Sequence, residues 1–185
     1  MKHRVIKVVV GHDQEKDEPI YIRTIVSGKW KRNRDTLVHY HGYGGSAALN
    51  FKVFQDMSNE FNQISIDIIG MGGSSRPSDF SVKFSPKECI DYFVNYFEKW
   101  RVAFPDHFHK LKGQQLTQFY IVGHSLGGYL SSHYTVRYPQ HIKKLILLSP
   151  VGLTNIASLD SPRVNNSRGD SLEATLCWHF KTCPQ

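Results

Sequence analysis

The sequence predicts an α/β fold, a three-layer sandwich in which helices cover both faces of a mostly parallel sheet. Segments that read as strands alternate with segments of helical periodicity, as expected for βαβ units joined by right-handed crossovers. Two strand segments, residues 64–69 and 145–148, are rich in Ile and Leu, which is typical of strands buried on both faces. The 185 residues are enough for one domain with a sizeable core.

Six strands are expected from apolar or alternating runs that are bounded by turn residues. The first two form a pair around a charged turn, and the last is expected to be strongly buried. In chain order, the strands are predicted over residues 5–10, 21–26, 36–41, 62–68, 118–122 and 142–148.

Three helices are expected between the later strands. A capping box, Ser-Pro-Lys-Glu over residues 85–88, begins a long helix that Pro105 is expected to end. Another helix covers residues 129–138 and stops before Pro139. The earliest helix is predicted from four apolar side chains, mostly three or four residues apart, namely Phe51, Phe54, Met57 and Phe61.

The segment 123–128 reads Gly-His-Ser-Leu-Gly-Gly and lies between an apolar strand and a helix. Gly123 and Gly127 have no Cβ, so the backbone can take a very sharp turn around Ser125. Such a turn exposes a serine hydroxyl above a helix amino terminus, where an anion is stabilised. Ser125 is therefore the candidate nucleophile, and the Leu126 amide is a candidate oxyanion donor. The alternative is a structural turn with an idle serine.

A second glycine-rich motif, His-Gly-Tyr-Gly-Gly over residues 41–45, follows the third predicted strand. Acyl transfer needs a further N–H donor from the loop after that strand, and the Tyr43 amide is the candidate. A plain glycine-rich turn is the alternative, although the two motifs together favour hydrolytic chemistry. The residues that support the two motifs are His41, Gly42, Gly44, Gly123, His124 and Gly127.

No cofactor or metal is expected. The glycines within residues 70–73 suggest a dinucleotide loop, but no helix begins there and Pro77 opposes one. Cys177, His179 and Cys183 match no standard zinc spacing and lack a fourth ligand.

Four motifs together resemble those of the α/β-hydrolase superfamily. In chain order they are His-Gly-x-Gly-Gly, Asp-x-x-Gly-x-Gly-x-Ser-x-Arg-Pro, Gly-His-Ser-x-Gly-Gly and Tyr-Pro-x-x-Ile-Lys-x-Leu-Ile-Leu-x-x-Pro. The resemblance covers about residues 18–153. It is nearest to the branch of lysophospholipases and N-acyl-phosphatidylethanolamine lipases, which also holds a silent lipase co-activator with asparagine at the nucleophile position. The resemblance implies a nucleophile elbow at Ser125, an oxyanion hole from Tyr43 and Leu126, and a serine esterase or lipase active in lipid metabolism and lipid homeostasis.

The character of the sequence changes after Gly152. Residues 1–153 are predicted to form a partial hydrolase core, and residues 154–185 a polar, poorly ordered tail. Family members place an acid and a general-base histidine after later strands. We therefore expect a C-terminally truncated gene model, and the alternatives are a splice product with an aberrant end or a half-domain that another chain completes. The tail offers three triad candidates, none held by a predicted strand, namely Asp160, Asp170 and His179.

Three functions remain open at this point. The first is hydrolysis of carboxylic esters, of lipids or lysophospholipids, through an acyl-enzyme on Ser125, although this chain lacks an identifiable base and is expected to be slow or inactive. The second is a non-catalytic, lipid-associated regulator or scaffold. The third is acyl transfer to lysolipids, which needs only a different acceptor for the same acyl-enzyme.

The formal net charge is +7, from 23 basic and 16 acidic residues. No apolar run approaches the ~20 residues that cross a bilayer, and a cytoplasmic location is expected, either free or peripheral to membranes or lipid droplets. No nucleic-acid motif is present. A basic cluster suits an anionic membrane or phospholipid headgroup, with a solvated loop as the alternative. Its members are Arg23, Lys29, Lys31, Arg32 and Arg34.

Overall fold

A computed structural model describes residues 2–50 and 56–152 of the chain. One mixed sheet of six strands organises this part of the molecule. The strands are β1 (His3–Asp13), β2 (Glu18–Ser27), β3 (Thr36–Tyr40), β4 (Asn62–Ile66), β5 (Phe119–His124) and β6 (Ile142–Leu148).

The strand order across the sheet is β1-β2-β4-β3-β5-β6. β1 and β2 form an antiparallel hairpin, and β2 is also antiparallel to β4. The pairs β3–β4, β3–β5 and β5–β6 are parallel, so the carboxyl ends of these four strands share one edge of the sheet. The chain reverses direction across the sheet at β3, and loops after β3 and β5 therefore meet at a topological switch point.

Two α-helices are described, α1 (Pro86–His107) and α2 (Leu126–Arg137). The capping box at the start of α1 is present, because Ser85 Oγ accepts from the Glu88 amide and the Glu88 carboxylate accepts from the Ser85 amide. The prediction that Pro105 ends this helix was wrong. Pro105 lies in the last turn, where its missing N–H costs one hydrogen bond and the helix continues for two more residues.

Aromatic side chains of α1 fill the core against the sheet. Phe97, Trp100 and Phe104 are almost completely buried, and each contributes about 2–3 kcal/mol through removal of apolar surface from water. The indole of Trp100 also donates to Thr24 Oγ1 over 2.9 Å, so its one polar atom is satisfied inside the core. Phe97 also packs against Tyr40 of β3 and Phe119 of β5, so α1 is held against the middle of the sheet.

The strand predictions are confirmed in place, with ends that differ by up to three residues. The expectation that residues 142–148 are strongly buried was wrong, because β6 is an edge strand of the described sheet. Leu147 and Leu148 are 37% and 50% exposed. The helix predicted from residue 51 lies partly outside the described residues, and a 3₁₀ turn, Ala47–Asn50, precedes it. The predicted tail, residues 154–185, also lies outside them.

Candidate active site

Ser125 is the single residue between the end of β5 and the start of α2. Its backbone angles are φ 53° and ψ −118°, a conformation that costs a residue with a side chain about 1–3 kcal/mol. Neighbouring backbone groups hold it there. The Ser125 amide donates to the Leu148 carbonyl over 3.1 Å, and the Ser125 carbonyl accepts from the amides of Gly128 and Tyr129. The strand, the turn and the helix are thus fixed together around this serine.

The two glycines that flank the turn are required by close backbone contacts. A Cβ on Gly123 would lie 2.5 Å from the Gly127 carbonyl oxygen. A Cβ on Gly127 would collide with the carbonyl oxygens of Tyr40 and His41, at the end of β3. The first turn of α2 therefore packs directly on the end of β3, which brings the second glycine-rich motif beside Ser125.

That second motif forms a tight turn in which the Gly45 amide donates to the Gly42 carbonyl over 3.1 Å. Gly44 has φ +64°, a conformation that favours glycine. A Cβ on Gly42 would lie 3.0 Å from Ser125 Cβ and 3.0 Å from His124 Nδ1. Gly42 consequently lies next to the serine.

The residues around Ser125 differ in their exposure to solvent. Ser125 is half-buried, whereas His124 before it is exposed and Leu126 after it is buried. Ser125 Oγ makes no capping hydrogen bond to the first turn of α2. The Leu126 amide belongs to the first turn of α2, where backbone N–H groups have no partner within the helix and carry partial positive charge.

His41 supports the turn and is not placed as a base. Its Nδ1–H donates to the Gly42 carbonyl over 2.7 Å, and its Nε2 accepts from the Ile68 amide over 2.9 Å. These two bonds define one neutral tautomer. Burial lowers the pKa of His41, which also favours the neutral ring. The side chain therefore ties the start of the glycine-rich turn to the loop after β4.

Asp67 is the residue whose contribution the sequence reasoning missed. It is completely buried after β4, and its carboxylate accepts from the Ala47 amide at 2.5 Å and the Gly73 amide at 2.7 Å. Arg23 donates to the same carboxylate over 3.1 Å. This network anchors the segment that follows the Gly42–Gly45 turn. An Asp that ends an apolar strand and precedes several glycines was the available signal.

The glycine segment at residues 70–73 wraps around Asp67 and does not begin a helix. Gly72 has φ +53°, and a Cβ there would lie 2.6 Å from Asp67 Oδ2. The Gly70 amide donates to the Ser75 carbonyl over 2.9 Å. These contacts account for the glycines without a nucleotide.

Several candidate residues from the sequence analysis belong to the part of the chain that the structure does not describe. Asp160, Asp170 and His179 lie outside the described residues, as do Cys177 and Cys183. The part of the chain that is described contains no group of three or more His, Cys, Asp or Glu side chains placed to hold a metal ion. No helix in that part has both the length and the apolar character needed to span a membrane.

A comparison with known protein families shows which family the chain belongs to. The model of the family described as alpha/beta hydrolase fold matches residues 35–171, well over half of the chain. The chain therefore belongs to the α/β-hydrolase family. The family resemblance predicted from the motifs, and the mostly parallel sheet flanked by helices, are thereby confirmed.

Among curated proteins, the chain is 35% identical over 171 residues to a 1-acylglycerol-3-phosphate O-acyltransferase of Arabidopsis thaliana, covering 91% of this chain and 38% of that protein. It is 32% identical over 131 residues to a (lyso)-N-acylphosphatidylethanolamine lipase of Bos taurus, covering 71% and 34%. The chain thus spans less than two-fifths of the length of these relatives.

The solved structure of 2-hydroxy-6-oxo-6-phenylhexa-2,4-dienoate hydrolase from Rhodococcus has the same fold. Its TM-score is 0.63 and its sequence identity is 21%, and the match covers 82% of this chain and 47% of that one. At this identity, the likeness supports the fold alone.

Proposed function

We propose that the chain carries the nucleophile and oxyanion-binding half of a serine hydrolase of carboxylic esters. The observation that supports this most strongly is the contact between two distant motifs, in which Gly42 lies against Ser125 Cβ. Ser125 acts as the nucleophile, and the amides of Leu126 and Tyr43 act as oxyanion donors. A strained turn that presents a hydroxyl at a helix amino terminus suits this role.

In the first step, Ser125 Oγ attacks the ester carbonyl carbon while a general base takes its proton. The carbonyl oxygen becomes an oxyanion, which the Leu126 and Tyr43 amides stabilise along with the amino terminus of α2. The intermediate then breaks its bond to the leaving oxygen, which receives the proton from the base. An acyl ester on Ser125 remains, and the alcohol departs.

In the second step, water attacks the acyl ester with help from the same base and releases a carboxylic acid and Ser125. This chemistry needs no metal or organic cofactor. It does need a base, because a serine hydroxyl alone is a weak nucleophile. Asp160, Asp170 and His179 remain the candidates within this sequence, and their roles are predictions because they lie outside the described residues.

The substrate class is proposed to be a lipid or lysophospholipid ester. The names of the two curated relatives both concern glycerophospholipids, which supports this class. Contact with a membrane or lipid-droplet surface, where such esters reside, is part of the proposal. Residues 1–153 are proposed to form the core and residues 154–185 a polar tail.

Acyl transfer to a lysolipid is the second candidate function. The name of the Arabidopsis relative, 1-acylglycerol-3-phosphate O-acyltransferase, favours it. Mechanistically it differs only in the second step, where the hydroxyl of a lysolipid replaces water as the acceptor. The two functions therefore share Ser125 and both oxyanion donors.

A non-catalytic, lipid-associated regulator is the third candidate function. The observation in its favour is that His41, which lies in the glycine-rich turn beside Ser125, is engaged by the Gly42 carbonyl and the Ile68 amide and is not placed as a base. The serine itself and the glycine-rich turn argue against it, since binding alone needs neither.

The functions are separated by product analysis with a lysophospholipid that carries a labelled acyl chain. The longest natural protein that contains this sequence is incubated with it, with and without lysophosphatidic acid as acceptor. Hydrolysis yields labelled fatty acid, and transfer yields labelled phosphatidic acid. Ser125→Ala should lose either product, whereas Ser132→Ala, a matched change on α2, should retain it. Activity that persists in Ser125→Ala would refute the proposal, and wild-type protein without either product would favour the regulator.

A further inference from the structure

A basic cleft lies at the amino-terminal edge of the parallel strands, away from Ser125. Its volume is about 950 Å³, within the size range of small-molecule sites. It forms where the start of β1, the loop between β2 and β3 and the segment after α1 meet. Ser125 lies at the opposite edge, where the carboxyl ends of the same strands meet. β3 runs from one edge to the other and has five residues, so at about 3.3 Å per residue the two edges are ~16 Å apart.

The charges around the cleft are all of one sign. Its lining includes no Asp or Glu. The four lysines have no ion-pair partner among residues 2–50 and 56–152, and all four are exposed. Cations held close together repel one another, and an anion bound between them relieves that repulsion. The Lys and Arg residues of the lining are Lys2, Arg4, Lys29, Lys31, Arg34 and Lys110.

The loop that carries Lys29, Lys31 and Arg34 is held in place by buried Asn62. The Asn62 side chain accepts from the Lys31 amide over 2.8 Å and donates to the carbonyls of Lys31 and Arg34. Arg34 also donates to the Ser58 carbonyl over 2.9 Å. The cations therefore project from an ordered backbone, which lowers the entropic cost of binding a ligand.

The opposite wall of the cleft combines apolar surface with a fixed cation. Trp30 packs edge-on against buried Phe108, with ring centroids 4.9 Å apart. Arg4 lies over Phe108 and donates to His109 Nδ1 over 2.7 Å. Desolvation, followed by the charges of Arg4 and Lys110, lowers the pKa of His109, so the neutral ring accepts this bond. The arrangement suits a ligand with an anionic head and an apolar part.

The prediction of one basic cluster from Arg23 to Arg34 needs correction here. Arg23 is paired with buried Asp67 and does not line the cleft. Lys29, Lys31 and Arg34 instead join cations from the first residues of the chain and from the segment after α1. The basic cluster is therefore formed by three separate segments of the chain and not by one continuous segment.

We propose that this cleft binds a phosphate-bearing anion, either the headgroup of an acidic phospholipid or a small phosphate ester in solution. Lysine ammonium groups and an arginine fork are the groups that recognise phosphate, and no carboxylate in the lining opposes it. The site is independent of the acyl chemistry proposed at Ser125.

The test is a binding measurement on the full 185-residue chain. One arm measures co-flotation with phosphatidylcholine vesicles that contain phosphatidic acid, against vesicles of phosphatidylcholine alone. The other arm measures binding of glycerol 3-phosphate by calorimetry. The variant is Lys29→Glu/Lys31→Glu, and its matched control is Lys83→Glu/Lys144→Glu, which makes the same change of charge at exposed lysines outside the cleft.

Each lysine near an anionic surface contributes roughly fivefold to binding, so reversal of two should weaken it at least tenfold. The control and Ser125→Ala should bind as the wild type does. Selective loss on vesicles would assign a lipid headgroup, and selective loss with glycerol 3-phosphate would assign a small phosphate ester. Equal binding by variant and control, or no binding to either probe, would overturn the proposal. Matching melting curves establish that the variant is folded.

Discussion

Replacing Asp67 by Asn tests whether one buried carboxylate organises the loops around the site. The substitution keeps the size of the side chain and one acceptor oxygen, but it puts an NH₂ group where a second acceptor stood. Of the three donors that meet this carboxylate, the Ala47 amide can keep its bond. The Gly73 amide and the Arg23 guanidinium then face a donor instead of an acceptor.

The magnitude follows from those two bonds. A hydrogen bond to a charged group contributes about 1.5–3 kcal/mol. The Arg23 side chain is 30% exposed and can recover some hydration, so its loss belongs at the low end of that range. The sum is a loss of ~3–4 kcal/mol in the free energy of unfolding, which for a chain of this size lowers the melting temperature by about 10 °C.

The assay is thermal unfolding followed by circular dichroism, with urea titration to obtain the free energy. Asp17→Asn is the matched control, because Asp17 is 97% exposed and its positive φ of 51° is tolerated by Asn. The control should change stability by less than ~0.5 kcal/mol. If Asp67→Asn unfolds within that same margin of the wild type, the carboxylate does not hold these loops together and the reasoning fails.

Three further predictions concern the turn and the sheet beneath it. Ser125→Gly should be ~1 kcal/mol more stable than Ser125→Ala, because glycine tolerates φ 53°; equal melting temperatures would show that the turn is unstrained. Gly127→Ala should cost at least ~2 kcal/mol through collision with β3 carbonyls, whereas Gly11→Ala, with an open contact of 3.9 Å, should cost under ~1 kcal/mol; the reverse order would contradict the packing. Burial lowers the pKa of His39 from 6.5 to about 4. Between pH 6.5 and pH 4, His39 therefore takes up a proton in the unfolded chain but not in the folded one. The free energy of unfolding should consequently fall by about 3 kcal/mol as the pH drops from 6.5 to 4. His39→Gln should flatten that part of the profile in urea titrations at stepped pH, and an unchanged slope would argue against the assignment.

Much of the fold could be predicted from local pattern. The alternating strands, the capping box at Ser85 and the stop before Pro139 are each encoded within a few residues, and the structure has all three. Strand ends were less accurate because β1 and β2 continue pairing beyond the apolar run that reveals them, through polar residues such as the exposed His3, His12 and Glu18 and the buried Asp13. The burial of β6 was misjudged because apolar composition does not reveal which strand lies at an edge.

The site shows the same division between local and long-range information. The glycine spacing around Ser125 reveals the turn, because the steric demand comes from neighbours in sequence as well as from β3. The role of Asp67 depends on partners 20 and 44 residues away, Ala47 and Arg23, and no periodicity reveals such contacts. For the same reason, Arg23 was grouped with nearby cations although its partner, Asp67, follows the neighbouring strand β4.

The central claim, that Ser125 is a nucleophile presented beside oxyanion donors, is tested most directly by a fluorophosphonate probe and peptide mass spectrometry. The hydroxyl should displace fluoride from the probe, leaving a phosphonyl group on Ser125 of the folded protein, and Ser125→Ala should remain unmodified. Folded protein that stays unlabelled at Ser125, or that carries the same label in Ser125→Ala, would contradict the account.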